Sequence, residues 1–165
     1  MLPSIELRIQ NLIKALSQVV LPAIDPGNAL AREQAQLVIG HLELIARQWE
    51  RAPAYEAQAF AALRELADRL VRDAEGGSGT MEAAAALREA PPRRAEVGDA
   101  IDRLIRAASA DGSPGFRARL ENAVLEHGAL HAWRERVWFA GTGLDPDASA
   151  LPSIDEMLQG ARPRS

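Results

Sequence analysis

Residues 28–51 read NALAREQAQLVIGHLELIARQWER, and the spacing of their apolar members decides the fold class. Leu30, Leu37, Val38, Leu42, Ile45 and Trp49 fall on one side of a 3.6-residue period, and nothing alternates as a half-buried strand does. The segment predicts a helix from Asn28 to Arg51, closed by Pro53. Two polar residues, Gln34 and His41, stand in the middle of its apolar face. Polar groups inside a core persist only when paired. Both are therefore expected to meet a partner from another helix.

The same periodicity extends in both directions. Ile5, Ile9, Leu12, Ile13, Leu16, Val19 and Val20 predict a first helix from Ser4, a hydroxyl N-cap, to Leu21, where Pro22 ends it. Asp25-Pro26-Gly27-Asn28 supplies a short turn, so the first two helices should form an antiparallel hairpin. Downstream, Ala54–Ala74 should bury Tyr55, Ala59, Leu63, Leu66 and Leu70. Gly76-Gly77-Ser78-Gly79 then reads as a flexible linker, and Met81–Ala90 as an alanine-rich helix with little to bury. Val97, Ile101, Leu104, Ile105 and Ala108 mark a short helix, and Phe116–Phe139 a last long one. The expectation is an all-α bundle of about five or six helices over residues 1–139. A turn-rich tail, 140–165, follows, in which the Ser153–Glu156 capping box starts a short helix.

Composition narrows the function classes. At 165 residues the chain is the size of one domain and needs neither disulfide nor metal merely to fold. Cysteine is absent, which excludes thiol nucleophiles, iron–sulfur clusters and cysteine zinc sites and fits a reducing compartment. No apolar run approaches the length of a membrane span, and no basic segment leads into an apolar core at the start, so the expected location is cytoplasmic with no membrane partner. The net charge of −4 and the scattered basic pairs Arg93-Arg94, Arg117/Arg119 and Arg134/Arg136 argue against nucleic acid. One lysine, Lys14, stands against 18 arginines, a bias that reads as the imprint of a GC-rich bacterial genome.

Three chemical readings remain. His127 and His131 share a helix side one turn apart, and Glu135 continues it, a set that offers imidazole and carboxylate ligands to a divalent metal. The spacing departs from both the zinc-protease and the di-iron patterns, since residue 128 is Gly and residue 124 is Val. Alternatively Gln34, His41, His127, His131 and Arg134 form a paired polar cluster in the core. In the third reading they line a ligand pocket: Arg134 clamps a carboxylate or phosphate, the histidines orient it, and Trp138 and Phe116 wall it, with Gln34, His41, Arg134 and Trp138 as the expected ligand-binding residues. No nucleophile elbow or phosphate-binding loop occurs, so no catalytic residue is assigned. The long last helix is apolar on more than one side, with Leu125, Trp133 and Phe139 off the histidine stripe, which makes those three the expected anchors of a homo-oligomer or protein interface.

Leu21-Pro22 closing the first helix, then Ala31-Arg32, Ala35, Leu37, Leu42 and Ile45 in the second, resembles a family of uncharacterised bacterial helical proteins encoded beside acyl-CoA dehydrogenases and aminoglycoside-phosphotransferase-like kinases. The resemblance reaches about Trp49. It implies an accessory role in acyl-CoA or related carboxylic-acid metabolism and assigns no site residue. The leading expectation is thus a non-catalytic helical protein acting by association with itself or an enzyme. The alternative is a metal- or small-anion-binding protein. A filled, fully paired interior favours the first, and a cavity beside His127 the second.

Overall fold

The computed structural model describes residues 3–162, and among them the chain is all-α. The helices are α1 (Ile5–Ala15), α2 (Ala29–Gln48), α3 (Ala52–Asp73), α4 (Ser78–Arg88), α5 (Arg94–Asp111), α6 (Pro114–Phe139) and α7 (Ile154–Leu158). No helix among the described residues is long and apolar enough to cross a membrane. The chain divides into two compact units, one running up to Pro53 and resuming with Arg136–Ala161, the other built on Ala54–Glu135.

In the first unit the hairpin forms as its turn chemistry predicts. Asp25 Oδ1 accepts from the Gly27 N–H at 2.7 Å, and Asn28 caps α2 by accepting from the Ala31 N–H at 3.1 Å. Pro22 does not stop the first helix. It has no N–H for the carbonyl four residues back, and the chain answers by widening into a π-helical stretch, Leu16–Val20, before a last turn, Leu21–Ala23. The face of α2 that packs is also not the expected one. Ala31, Ala35, Ile39, Leu42 and Ala46 are half-buried, whereas Leu30, Leu37, Val38 and Ile45 are exposed, and Gln34 and His41 with them. Small side chains let helix backbones approach closely, so the alanine side wins the intramolecular contact and the bulky side is left over. The tail belongs to this unit as well. The Arg51 guanidinium meets both oxygens of Asp155 at 2.7 Å, Gln48 Nε2 donates to the Trp138 carbonyl at 2.8 Å, and the expected Ser153–Glu156 capping box starts α7, whose Met157 is buried.

The second unit has one continuous core: Leu66, Ala67 and Leu70 from α3, Ala84 and Leu87 from α4, Val97, Ala100, Ile101, Leu104 and Ala108 from α5, and Phe116, Leu120 and Ala123 from α6. Helix α4 buries more than its composition promised, because Gly76–Gly79 is no free linker. Gly76 pairs with Gly112 in an isolated antiparallel bridge, the Gly77 N–H donates to the Asp111 carbonyl at 2.8 Å, and the Ser113 N–H donates to the Glu75 carbonyl at 2.9 Å. A Cβ on Gly76 would lie 2.7 Å from the Gly112 Cα, so only glycine allows the two loops this close. The Asp111 carboxylate, reaching from the end of α5, accepts from the Gly79 and Thr80 N–H groups and the buried Thr80 hydroxyl, and so caps α4 from another helix.

These contacts, the Thr80 hydroxyl foremost, hold the Asp111 carboxyl below its ordinary range. Replacing it by alanine leaves the Thr80 hydroxyl without its acceptor, and Asp111→Ala is expected to lower Tm by roughly 5 °C near neutral pH. Because a depressed carboxyl stabilises only while ionised, this difference is full above about pH 4 and closes as pH falls through the lowered value. Melting curves of both proteins from pH 7 to pH 2.5 test it; a constant gap across that range contradicts the assignment.

Candidate functional site

Three helices of the second unit enclose a cavity of about 250 Å³. Ala59, Ala62 and Leu63 come from one side of α3, where the small residues leave room, and Arg94 and Gly98 come from the first turns of α5. Helix α6 supplies His127, Leu130, His131 and Arg134, whose i, i+3, i+4, i+7 spacing places them on one side of the helix. A Cβ at Gly98 would meet nothing within 4 Å, so the glycine opens on to free space.

Arg134 is the side chain with no complete account in neutral contacts. It is only 8% exposed, yet among the described residues no carboxylate lies within ion-pair distance of it. Its two terminal nitrogens donate to Gln58 alone, to the side-chain oxygen at 3.0 Å and the backbone carbonyl at 3.4 Å. Its Nε is buried without a hydrogen-bond partner. The guanidinium carbon stands 5.7 Å from the Tyr55 ring centre, a cation–π contact that holds the group in place without neutralising it. The adjacent carboxylate, Glu135, is otherwise engaged: it accepts the Tyr55 hydroxyl proton. Burial first, and then that bond, push the Tyr55 hydroxyl well above its usual range, so tyrosine remains the donor.

The rest of the lining is cationic or neutral. Arg94 sits at the N-terminal end of α5, where the helix dipole disfavours a positive charge, and pairs with Glu56 at 3.0 Å. The His127 and His131 rings stack with centres 6.4 Å apart and planes 20° from parallel. Desolvation lowers the His127 pKa, helped by His131, Arg134 and Arg94, so His127 is neutral near pH 7. A negative charge in the cavity would oppose the repulsion that these cations exert on a protonated imidazole.

Only part of the expected constellation assembles. His127, His131 and Arg134 come together, but Gln34 and His41 do not join them. They lie exposed on α2 in the other unit, where His41 lines a separate groove with Leu37, Arg47 and Gly141. Trp138 and Phe116 do not line the cavity either: Trp138 belongs to the first unit, and Phe116 is fully buried in the core. For a metal, His131 Nδ1 is 3.9 Å from Glu135 Oε1, and among the described residues no three suitable side chains are placed to hold an ion. Two guanidinium groups on the same lining would also repel a cation. Of the expected interface anchors, Leu125 and Phe139 are exposed, but Trp133 is buried and so is not a free surface anchor. Sequence reasoning missed Arg94, Gly98, Tyr55 and Gln58. The available signal was Arg93-Arg94 opening a helix, where basic residues are disfavoured.

The chain matches no family model, no curated protein and no solved structure.

A lowered imidazole pKa means that the unfolded chain takes up the proton first, so stability falls as pH drops through about 6.5. His127→Gln should remove that component. Its Tm should decline less than that of the wild type between pH 7.5 and pH 5, and parallel declines would show that His127 does not carry the effect.

Proposed function

We propose that this protein binds a small carboxylate or phosphate in the α3–α5–α6 cavity. The observation that carries this reading is the buried Arg134 guanidinium without a counter-charge and with an unpartnered Nε. A lone buried charge costs several kcal/mol and persists in a protein mainly where something of opposite sign offsets it. Guanidinium groups match carboxylate and phosphate oxygens by two parallel hydrogen bonds, which selects these anions over a simple halide. Arg94, itself paired with Glu56 at 3.0 Å, adds a second guanidinium to the lining, and the His127 and His131 rings add N–H donors. Ala59, Ala62, Leu63 and Leu130 accept a short apolar portion. The volume limits the ligand to metabolite size and is too small for a drug-sized molecule.

The reading is one of binding, with no catalytic role assigned to any residue. Association of the protein, with itself or with an enzyme of carboxylic-acid metabolism, is a second reading. It is favoured by the large apolar side chains left uncovered on the first unit.

Thermal shift in inorganic phosphate and in butyrate, each against sodium chloride of equal ionic strength, tests the site. The wild type is expected to gain roughly 5–10 °C at saturation with at least one of them. Arg134→Met should melt at or above the ligand-free wild type, since it removes an unpaired buried charge, and should show no anion-specific gain. Gly98→Leu, which fills the cavity without touching a charge, should also lose the response while remaining folded. A wild type indifferent to both anions, or an Arg134→Met protein that responds normally, overturns the proposal.

A further inference from the structure

The exposed side of α2 has a symmetry of its own. Leu30, Gln34, Leu37, Val38, His41 and Ile45 are separated by four, three, one, three and four residues, a spacing that reads the same from either end. At 3.6 residues per turn they span an arc of about 100°, and Arg32, Glu33, Glu43 and Arg47 all fall outside it. Leu30, Leu37, Val38 and Ile45 are 66%, 51%, 48% and 46% exposed. Character is mirrored along with spacing: apolar ends, a polar residue one turn inward, and an apolar pair at the centre.

A palindromic stripe is what an isologous contact requires, because a two-fold axis presents the same surface to itself in reverse. We propose that a second copy of this chain covers α2, with the two α2 helices antiparallel and the axis passing between Leu37 and Val38. In that register Leu30 faces the partner's Ile45, Leu37 faces the partner's Val38, and Gln34 faces the partner's His41. A carboxamide offers both donors and an acceptor to an imidazole ring, so the two side chains can hydrogen-bond to each other. Polar pairs within an apolar seam also fix register, which gives Gln34 and His41 hydrogen-bond partners that neither has among the described residues.

Helix α1 extends the same surface. Ile5 and Leu12 are exposed and lie about 60° round from the more buried Ile9, Ile13 and Leu16. The α2 stripe lies about 110° round from the packed Ala31, Ala35, Ile39, Leu42 and Ala46. The two offsets have the same sign along each helix's own direction, and antiparallel helices turn oppositely when viewed from one end. Both apolar stripes therefore open on one side of the hairpin, and two hairpins meeting there make a four-helix bundle. Covering these residues removes on the order of 700 Å² per copy, close to the roughly 800 Å² per partner of a stable specific interface.

The absence of native cysteine makes the register directly readable. Light scattering of the full chain should give twice the 17.8 kDa chain mass, and Leu37→Glu with Val38→Glu should give the single-chain mass with unchanged helicity by circular dichroism. Leu30→Cys and Ile45→Cys chains, mixed under reducing conditions and then oxidised, should cross-link to each other. Neither should cross-link alone, because each position faces the other and not itself. A wild type that is monomeric at every soluble concentration overturns the proposal. So does a Leu30→Cys protein that cross-links by itself, or a dimer that survives the double glutamate substitution.

Discussion

A positive charge enclosed without a negative one is the constraint around which the second unit is organised. Arg134 is held on one side by the Tyr55 ring and on the other by two oxygens of Gln58, and both of those residues lie on α3. Those contacts orient the guanidinium but leave its charge uncompensated. Glu135, the nearest acid in sequence, is bound to the Tyr55 hydroxyl instead. The alanines of α3 and the glycine of α5 then keep space free beside the group. A chain selected only for stability would close that space or replace the arginine by a hydrophobe of similar volume. Its retention beside two imidazoles and a second arginine is what the anion-binding reading explains.

The two units solve the burial problem differently. In the second, the four long faces converge on one apolar core, and the α4–α5 region is clasped by Asp111 and the Gly76–Gly112 approach. In the first, the hairpin uses its small residues for the contact within the chain and leaves leucine, isoleucine and valine outward. Exposed apolar surface on that scale is uncommon for a monomer, and the proposed pairing of two hairpins would cover it. The Arg51–Asp155 pair and the Gln48–Trp138 bond fasten the tail to the end of α2, away from the centre of the stripe.

Helical class, the hairpin, the buried faces of α3 and α5 and the capping box at Ser153 were legible because each is written in local periodicity or turn chemistry. The inward side of α2 was not. Leu30, Leu37, Val38 and Ile45 make the stronger amphipathic signal, and periodicity alone cannot say whether a strong apolar face meets its own chain or another. The glycine run at 76–79 looked like a linker because the residues that fix it, Asp111 and Gly112, lie more than thirty positions away. At the site, His127, His131 and Arg134 were found because they share one helix side. Arg94 and Gly98 were not, since only the tertiary approach of α5 brings them to the cavity. Gln34 and His41 stood out as polar residues inside an apolar face, and the structure leaves both exposed on α2.

Anion binding in the cavity should be visible at the Arg134 side chain itself. In the ¹H–¹⁵N spectrum of the 165-residue chain, the Arg134 Nε–H resonance, assigned by its loss in Arg134→Met, reports the atom that is buried without a partner. With an anion held beside Arg134, this resonance shifts progressively and saturates as phosphate or butyrate is added, and the His127 ring signals move in parallel. An Arg134 Nε–H signal that neither anion moves, while the protein remains folded, would contradict it.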